Sequence, residues 1–351
     1  MLNMNKKTNI QLSICIPTYN RPQHLENCFE AIYISKKNCK KFNFEVCVSD
    51  NGSKHDIKSI IKRYKNKINI KFNRFNRNLG ITRNFLKAVS MARGEFVWTI
   101  GNDDLLLPES LKKIKKLLNK HKNVDYFYMN AYLLDKSFLD NFKHPFSTYK
   151  IPKKLKKFSN QKKNRLVNFW EVVDPNVSFD FLLGMFLNMF RRKGWVENLS
   201  CLNHKNIMDK NWMSNEDNTF FNTMIFANAF KNSKAVIHGE PLCVCLQGVR
   251  EWSKLWGFIL IVRIPEILDY NRSRGMSFWR YFYCKNFALR NFAVEMLKLL
   301  LANDYRIKKY FSFKKHFIYN LVYPAVYISP IYFIYTRILN FYKRIKLKNG
   351  I

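Results

Sequence analysis

The chain has 351 residues, 47% of them hydrophobic, so it can bury a substantial core and is not a mainly disordered protein. Its 61 Lys and Arg outnumber 25 Asp and Glu, and the formal net charge of +36 attracts polyanions: nucleic acid, an anionic membrane face or phosphorylated substrates. The eight cysteines include no Cys-x-x-Cys pair, which argues against a zinc site and favours reduced thiols in the cytosol.

The first 125 residues alternate short apolar runs with helical patterns, which is typical of a mostly parallel sheet. Pro17 ends the first apolar run and no small-residue cleavage site follows it, so we expect a strand there and not a signal peptide. A helix is expected to open at Pro22 and another at Pro108, and Ser53 with Asp56 predicts a capping box. Further strands are predicted at 44–48, 68–72 and 96–100.

Three polar clusters follow directly after predicted strands: Pro-Thr-Tyr-Asn-Arg at 17–21, Ser-Asp-Asn-Gly-Ser at 49–53 and Gly-Asn-Asp-Asp at 101–104. Ligands of open α/β sheets bind outside the carboxyl ends of the strands, so the clusters indicate one nucleotide site. Asp103 and Asp104 place two carboxylates side by side, which a cation stabilises. Because Mg²⁺ and Mn²⁺ bind through one or two carboxylates plus substrate phosphates, the pair suits a diphosphate leaving group. The alternative is that the pair only caps the helix that follows.

Beyond residue 125 the pattern becomes irregular, and we divide the chain at 125 and at 250. Residues 150–165 have the composition of a solvated basic loop, residues 217–230 have that of a helix, and residues 243–246 alternate as a strand does. The chain contains no recognisable internal repeat.

The last hundred residues are rich in aromatic side chains and contain a run without charge, 317–335, that approaches the length of a membrane-spanning helix. Pro324 and Pro330 interrupt this run, and Lys and Arg residues flank it. Apolar aromatic segments between cations suit the interface of an anionic bilayer, so we expect peripheral membrane contact and not a spanning helix. The alternative is a helical hairpin packed on the main domain.

Five motifs occur together in the first third of the chain. They are Pro-Thr-Tyr-Asn at 17–20, Ser-Asp-Asn-Gly-Ser at 49–53, Asn-Leu-Gly-Ile-Thr-Arg at 78–83, Ala-Arg-Gly-Glu-Phe at 92–96 and Gly-Asn-Asp-Asp at 101–104. In this order and at this spacing the set resembles family 2 glycosyltransferases of the GT-A superfamily. The Gly-x-Asp-Asp form of the last motif is similar to the abequosyltransferase-like branch, which acts in bacterial surface polysaccharide assembly.

The resemblance implies the GT-A fold, a Rossmann-like α/β architecture whose mostly parallel sheet is flanked by helices. It implies nucleotide-sugar binding by residues 10–125 and acceptor binding by residues 126–250, and the composition adds a helical, basic and aromatic membrane-associating region at 251–351. The implied nucleotide-sugar cleft is formed by Pro17, Thr18, Tyr19, Asn20, Asp50, Asn78, Gly80, Arg83, Asn102 and Asp103. In such enzymes the residue corresponding to Asp50 holds the base or ribose, and those corresponding to Asp103 and Asp104 hold Mn²⁺ or Mg²⁺.

The chain departs from the family's Asp-x-Asp motif, because position 101 is Gly101 and the related branch has an acid where this chain has Asn102. The carbonyl oxygen of Asn102 still offers a ligand for a cation or a hydrogen-bond acceptor for the sugar.

An inverting transfer needs a general base beside the acceptor hydroxyl. The resemblance implies an Asp or Glu on the acceptor side, and Glu216 and Asp217 are the candidates. Asp217 fits a helix cap equally well, and Asp180 is the reserve candidate.

The resemblance therefore predicts a hexosyl- or deoxyhexosyltransferase that uses a nucleoside-diphosphate sugar and a lipid-linked or lipopolysaccharide-type glycan acceptor, with inversion and with Mn²⁺ or Mg²⁺. Its expected place is the cytoplasm, peripherally on the inner face of the cell membrane.

Two other functional classes remain open. A nucleic-acid-binding protein would use the +36 charge, but RRM, KH and helix-turn-helix signatures are missing and we expect no specific nucleic acid partner. A sugar nucleotidyltransferase would need a Gly-rich basic loop after the first strand, where this chain has Pro-Thr-Tyr-Asn.

Overall fold

The computed structural model describes residues 10–249, 255–301 and 308–348. These residues pack as two compact units. The first unit contains 10–212 and 221–249, and the second contains 213–220, 255–301 and 308–348. The 125/126 division predicted from the sequence falls inside the first unit, whose single sheet includes strands from both sides of that point.

The described part of the first unit is built on a ten-stranded sheet. Its strands are β1 (Leu12–Thr18), β2 (Phe44–Asp50), β3 (Ile70–Arg74), β4 (Phe96–Thr99), β5 (Asp104–Leu106), β6 (Tyr126–Asp135), β7 (Lys156–Lys157), β8 (Arg165–Asn168), β9 (Asn188–Arg191) and β10 (Lys234–Gln247). The order across the sheet is β3-β2-β1-β4-β9-β6-β10-β5, with β7 beside β6 and β8 beside β10.

Most of the sheet is parallel, as the sequence predicts. β3, β2, β1 and β4 run in one direction, and β6 shares it because β9 is antiparallel to both β4 and β6. β10 is parallel to β6. Thr18 at the end of β1 lies in register with Asp50 at the end of β2, so these two carboxyl ends finish side by side. Parallel strands place the residues that follow them at one edge of the sheet.

The helices lie in both units. They are α1 (Pro22–Lys37), α2 (Ile57–Lys65), α3 (Ile81–Ser90), α4 (Ser110–Lys120), α5 (Arg192–Glu197), α6 (His204–Met208), α7 (Glu216–Thr219), α8 (Phe221–Ala229), α9 (Trp256–Phe258), α10 (Ile264–Ser273), α11 (Phe278–Ala288), α12 (Phe292–Leu301), α13 (Phe313–His316) and α14 (Pro324–Lys348). A turn of π-helix, Ile259–Arg263, joins α9 to α10. The prediction of a helical C-terminal region is confirmed, and α7 together with α9–α14 forms the second unit.

Three helix boundaries differ from the sequence-based prediction. The N-cap of α2 is Asp56, whose side chain accepts a hydrogen bond from Ser59 N, whereas Ser53 takes no part in this cap. α4 begins at Ser110 and not at Pro108, because a turn in which Ser110 N bonds Leu107 O precedes it. The helix predicted at 217–230 is two helices, since Phe220 leaves the helical conformation between α7 and α8.

A cluster of charges around the buried Glu266 in α10 stabilises the second unit. The guanidinium of Arg263 bonds Glu266, and Arg263 Nη2 also donates to Met213 O at 2.7 Å. Lys315 Nζ lies 2.8 Å from Glu266 Oε1, and His316 Nε2 lies 2.9 Å from the same oxygen. Because His316 Nδ1 accepts a hydrogen bond from the backbone, Nε2 carries the proton and donates to Glu266.

Candidate functional site

The end of β1 is the point at which three separate segments of the first unit meet. Thr18 O accepts hydrogen bonds from Asn51 N at 3.0 Å and from Asn84 Nδ2 at 3.2 Å. Thr18 Oγ1 accepts a third bond, from Asn102 Nδ2, at 2.8 Å. The residue after β2, the first turn of α3 and the turn after β4 are thereby joined at one strand end, as the positions of the polar clusters predict.

Asp50 and its neighbours form a buried polar group beside Thr18. The Asp50 side chain is fully buried, and its Oδ1 accepts hydrogen bonds from Ser53 N at 3.1 Å and from Ser53 Oγ. Ser53 Oγ in turn accepts a bond from Asn20 N at 2.8 Å. Asp50 Oδ2 faces Arg74 Nε at 3.4 Å and has no hydrogen-bond donor among the described residues. A buried carboxylate oxygen with spare acceptor capacity is suited to bind a hydroxyl or N–H group of a ligand.

Asn51 fixes the loop that leads into α3. Its Nδ2 donates to Asn78 Oδ1 at 2.8 Å and to Gly80 O at 3.2 Å, and its Oδ1 accepts from Leu79 N at 2.9 Å. Arg83 follows in the first turn of α3, half-buried, and the structure records no hydrogen bond or ion pair between it and any described residue. This loop therefore presents an uncommitted guanidinium next to a rigid backbone.

Gly52 is required by the close approach of this loop. A Cβ at position 52 would lie 2.7 Å from the backbone carbon of Arg77, and the φ of Gly52 is +76°. Both the contact and the left-handed conformation exclude larger residues. The glycine lets the residues after β2 pack directly against the residues after β3.

The acidic turn after β4 explains why position 101 is glycine. Gly101 N donates to Asp104 Oδ2 at 2.7 Å, and Asp104 N donates back to Gly101 O at 3.2 Å. A Cβ at Gly101 would lie 2.4 Å from Asp103 Oδ1 and 3.0 Å from Asp104 Oδ2. The two following carboxylates thus occupy the space that an acidic side chain at 101 would need.

Asp103 is paired with the residues that open α1. Arg21 Nη1 lies 3.3 Å from Asp103 Oδ2, and Arg21 Nη2 donates to Val249 O at 2.9 Å. His24 lies in the first turn of α1. Burial lowers the pKa of His24; the Asp103 carboxylate opposes this shift and the Arg21 charge adds to it. His24 is therefore mainly neutral at pH 7.

The residues that could hold a metal ion are few. The described residues contain no group of three or more His, Cys, Asp and Glu side chains arranged to hold a metal ion. Asp104 is buried in β5 and serves the turn, whereas the Asp103 side chain keeps 12% of its surface exposed. Since Mg²⁺ and Mn²⁺ bind through one or two carboxylates plus substrate phosphates, this donor set fits a cation shared with a diphosphate.

Asp180, the reserve candidate for the general base, holds a turn of its own. Its Oδ2 accepts from Gly184 N at 2.9 Å, and Ser178 Oγ donates to Oδ1. The segment after this turn flanks the end of β4, because Thr99 Oγ1 donates to Met185 O at 3.0 Å. Asp180 therefore lies in the first unit, in a turn whose continuation borders the acidic motif.

Glu216 and Asp217 lie in the second unit, in the short helix α7. Glu216 Oε1 is 3.1 Å from Lys315 Nζ, which joins it to the Glu266 cluster. Asp217 is buried, and the cap of this helix is Asn215, whose side chain accepts from Asn218 N at 2.8 Å. Asp217 therefore lies within α7, two residues after its N-cap.

The structure places most of the predicted cleft residues together at one edge of the sheet. Hydrogen bonds or strand register connect Pro17, Thr18, Asn20, Asp50, Asn78, Gly80 and Asn102, and Asp103 adjoins Asn102. Tyr19 is exposed just beyond β1.

The sequence did not indicate that five further residues take part in the site. They are Arg21, His24, Asn51, Ser53 and Arg74. Arg21 directly follows the first motif and His24 is one helical turn further on, a spacing that could have drawn attention to both.

The part of the chain that contains this site is similar in sequence to known glycosyltransferases. The model of glycosyl transferase family 2 matches residues 13–172. Abequosyltransferase RfbV of Salmonella typhimurium is 38% identical over 117 residues, which are 32% of this chain and 34% of RfbV. Poly(ribitol-phosphate) beta-N-acetylglucosaminyltransferase TarS of Staphylococcus aureus is 30% identical over 115 residues, 32% of this chain and 19% of TarS. The chain thus aligns with about a third of RfbV and less of TarS.

Solved structures resemble this chain over a greater length. S. aureus TarS 1–349 in complex with UDP has a TM-score of 0.58 at 15% identity, and the match covers 84% of this chain and 76% of that one. The complex of the same fragment with UDP-GlcNAc gives 0.57 at 15% identity, with 86% and 78% covered. At this identity the likeness shows the fold, and the prediction of a GT-A-like α/β architecture is confirmed.

Proposed function

We propose that this chain, whose residues 13–172 match the model of glycosyl transferase family 2, is a glycosyltransferase that moves a sugar from a nucleoside-diphosphate sugar to a glycan acceptor. The observation that supports this most is the meeting of three segments at Thr18. On one side of Thr18 lies a buried carboxylate with spare acceptor capacity, and on the other lies an acidic turn beside an arginine. This arrangement suits a ligand with a nucleoside at one end and a diphosphate at the other.

The nucleoside end of the ligand is proposed to lie against Asp50. Its Oδ2 is buried next to Arg74 and lacks a hydrogen-bond donor among the described residues, so a base N–H or a ribose hydroxyl would supply one. Ser53 and Asn20 hold the carboxylate in place through Oδ1 and the Ser53 hydroxyl. This positioning makes Asp50 the residue on which nucleotide affinity depends most.

The diphosphate end is proposed to lie between the acidic turn and α3. Arg83 is free of partners among the described residues, and a guanidinium pairs well with phosphate oxygens. Asp103 is the residue proposed to hold Mn²⁺ or Mg²⁺ together with the diphosphate, with Asn102 and Asp104 beside it. A bound cation would stabilise the negative charge that grows on the leaving diphosphate. Arg21 keeps the Asp103 carboxylate in position.

The acceptor proposed is a lipid-linked or lipopolysaccharide-type glycan. The matched segment of this chain is 38% identical to RfbV, which is named an abequosyltransferase. For an inverting reaction we propose Asp217 as the general base that takes the proton of the acceptor hydroxyl. Glu216 is committed to an ion pair with Lys315, which fits a positioning role better.

A donor screen tests the proposed function. UDP-, GDP-, CDP- and dTDP-sugars with Mn²⁺ are added to the full chain, and the melting temperature is measured. A ligand at about a hundred times its Kd stabilises the folded state by about 2.7 kcal/mol, so one nucleotide class is expected to raise the melting temperature by several degrees. Asp50→Asn is expected to remove most of this shift, and Asp140→Asn, an exposed aspartate elsewhere in the first unit, is expected to retain it. Absence of a shift with all four donors would contradict the proposal.

Asp217→Asn is expected to lower the turnover number by about a hundredfold or more, with little change in the KM for the donor, because general base catalysis typically contributes this much. Glu216→Gln is the comparison variant: it keeps the side-chain volume next to Asp217 but weakens the positioning ion pair with Lys315, so its loss of turnover is expected to be about tenfold at most. The measurement is a steady-state transfer assay over a range of pH. Equal losses for the two variants would remove the assignment of Asp217 as the base.

A further inference from the structure

Exposed large apolar side chains are concentrated in the second unit. Of the twenty-five large apolar residues that are exposed in the described chain, seventeen belong to it, although it holds fewer than a third of the described residues. Single exposed apolar residues are normal on any protein, but a concentration of them marks an interaction surface. The second unit therefore has a surface that is suited to contact an apolar partner.

One face of α14 shows the concentration most clearly. Its exposed residues recur every three or four positions and form what we term the apolar stripe: Tyr327, Ile328, Ile331, Ile334, Tyr335 and Ile338. The opposite face is turned inward, with Val326 and Ser329 buried, and Ser329 Oγ accepts a hydrogen bond from Ala293 N in α12. A helix on the surface of a soluble protein normally exposes polar side chains, whereas the outward face of α14 is largely apolar.

Neighbouring helices of the same unit also expose large apolar side chains. α14 packs against both α11 and α12. Leu300 and Leu301 in α12 are exposed, and Trp279 in α11 is 78% exposed. Trp and Tyr are the residues enriched where a protein meets the boundary between lipid and water.

The charge of the C-terminal segment is of one sign. From residue 305 to the end the sequence contains ten Lys and Arg and no Asp or Glu. Lys308, Lys309 and Lys314 are exposed before the uncharged run, and Arg337 is exposed within the last turns of the stripe. Each cation near an anionic bilayer contributes attraction, so this charge complements anionic lipid headgroups.

The lengths and the bend of the C-terminal helices bear on how this region could meet a membrane. Within the described ranges no single helix has the length and hydropathy of a membrane span, and the one helix pair that passes together, Phe313–Asn320 with Pro324–Leu339, is bent by 84°. Helices that lie in the interface bury one apolar face among the acyl chains and keep cations at the headgroups.

We propose that the apolar stripe of α14, together with the exposed Trp279 and Leu301 of the same unit, binds the surface of an anionic lipid bilayer. The side chains of the stripe enter the outer acyl region, and Lys308, Lys309, Lys314 and Arg337 contact lipid phosphates. This inference goes beyond the proposed function, because it concerns only the second unit and requires no sugar transfer.

Vesicle sedimentation with the full chain tests the proposal. The protein is expected to sediment with phosphatidylcholine vesicles that contain about one quarter phosphatidylglycerol, at least tenfold more strongly than with phosphatidylcholine alone, and to be released as salt rises to roughly 0.5 M. The double variant Ile331→Gln/Ile334→Gln is expected to lose at least tenfold in binding. The control is Leu166→Gln/Val196→Gln, because Leu166 and Ile334 are both 58% exposed but Leu166 lies in the first unit. Circular dichroism checks that both variants are folded.

Three results would overturn the proposal. The first is the absence of binding to the anionic vesicles, and the second is equal binding by the stripe variant and the control. The third is a stable dimer in lipid-free solution that the stripe substitutions dissociate, since the stripe would then be covered by a second copy of the chain. Because no donor or transfer is involved, failure here leaves the proposed function untouched, and failure of the donor screen leaves this proposal untouched.

Discussion

Asp103→Asn is expected to reduce sugar transfer about a thousandfold or more while leaving the protein folded. Asparagine keeps the shape of the side chain but removes the negative charge that faces Arg21 and that is proposed to hold the cation. Losing a group that acts on the leaving diphosphate typically costs a hundredfold to a thousandfold in turnover, and loss of the cation adds to this. The assay is transfer from the donor identified by the screen, at saturating Mn²⁺.

The controls separate this effect from damage to the turn. Asp104→Asn disturbs the hydrogen bond from Gly101 N in a buried position, so it is expected to lower the melting temperature, whereas Asp103→Asn is expected to change it little. Nucleotide binding without metal is expected to survive in Asp103→Asn, because Asp50 and Thr18 are untouched. Near-normal turnover by this variant would show that Asp103 does not hold the metal.

The sequence predicted the core of the candidate site because the prediction depended on one rule of sheet geometry. Parallel strands end at the same edge, so polar clusters that follow Thr18, Asp50 and Thr99 have to meet, whatever their separation along the chain. The hydrogen bonds of Asn51, Asn84 and Asn102 to Thr18 confirm that they do.

Other features were not predictable because the deciding contact is distant or competes with a local signal. Ser53 has the spacing of a capping box, but it bonds Asp50, which is buried and needs donors more than the exposed end of α2 does. Gly101 departs from the acidic motif because of two carboxylates that fold back over it. β9 lies antiparallel between β4 and β6, and the sequence of a four-residue strand does not indicate the direction in which it pairs.

The exposure of α14 marks another limit of the sequence. The run 317–335 predicts an apolar helical segment equally well whether it is packed on a domain or laid on a membrane. Only the structure shows that the face with Tyr327, Ile331 and Ile334 is turned outward.

Glu266→Gln is expected to destabilise the second unit by about 3–5 kcal/mol at pH 7. The substitution keeps the volume but leaves Arg263, Lys315 and the His316 N–H facing a neutral amide, and removing one member of a buried ion pair costs this much. The measurement is urea unfolding of the full chain followed by tryptophan fluorescence. Lys298→Gln is the control, since it breaks an exposed pair with Glu295 in the same unit and is expected to cost less than about 1 kcal/mol.

The dependence on pH distinguishes a charge effect from a packing effect. Burial alone raises the pKa of Glu266, but the hydrogen bond from His316 and the charges of Arg263 and Lys315 outweigh it and lower the pKa to about 2. A carboxyl whose pKa is depressed on folding stabilises the protein above its unfolded value, and this contribution is lost as the pH falls from about 4.5 to about 2. On acidification the wild type is therefore expected to lose about 3 kcal/mol of its free energy of unfolding through Glu266, and Glu266→Gln is expected to show no such loss. Parallel losses in both proteins on acidification would assign the cluster a packing role.

The same cluster connects the stability of the second unit to the candidate base. Arg263 holds the carbonyl of Met213, and Lys315 bridges Glu266 to Glu216, so the segment 213–216, which leads directly into Asp217, depends on the charge of Glu266. We therefore expect Glu266→Gln to lower the turnover number by about tenfold at a temperature where the variant is still folded, while donor binding, measured by titration, stays within about twofold. Because Asp50, Arg83 and Asp103 belong to the first unit, a loss of donor affinity in this variant would show that the effect spreads beyond the segment that Glu266 fixes.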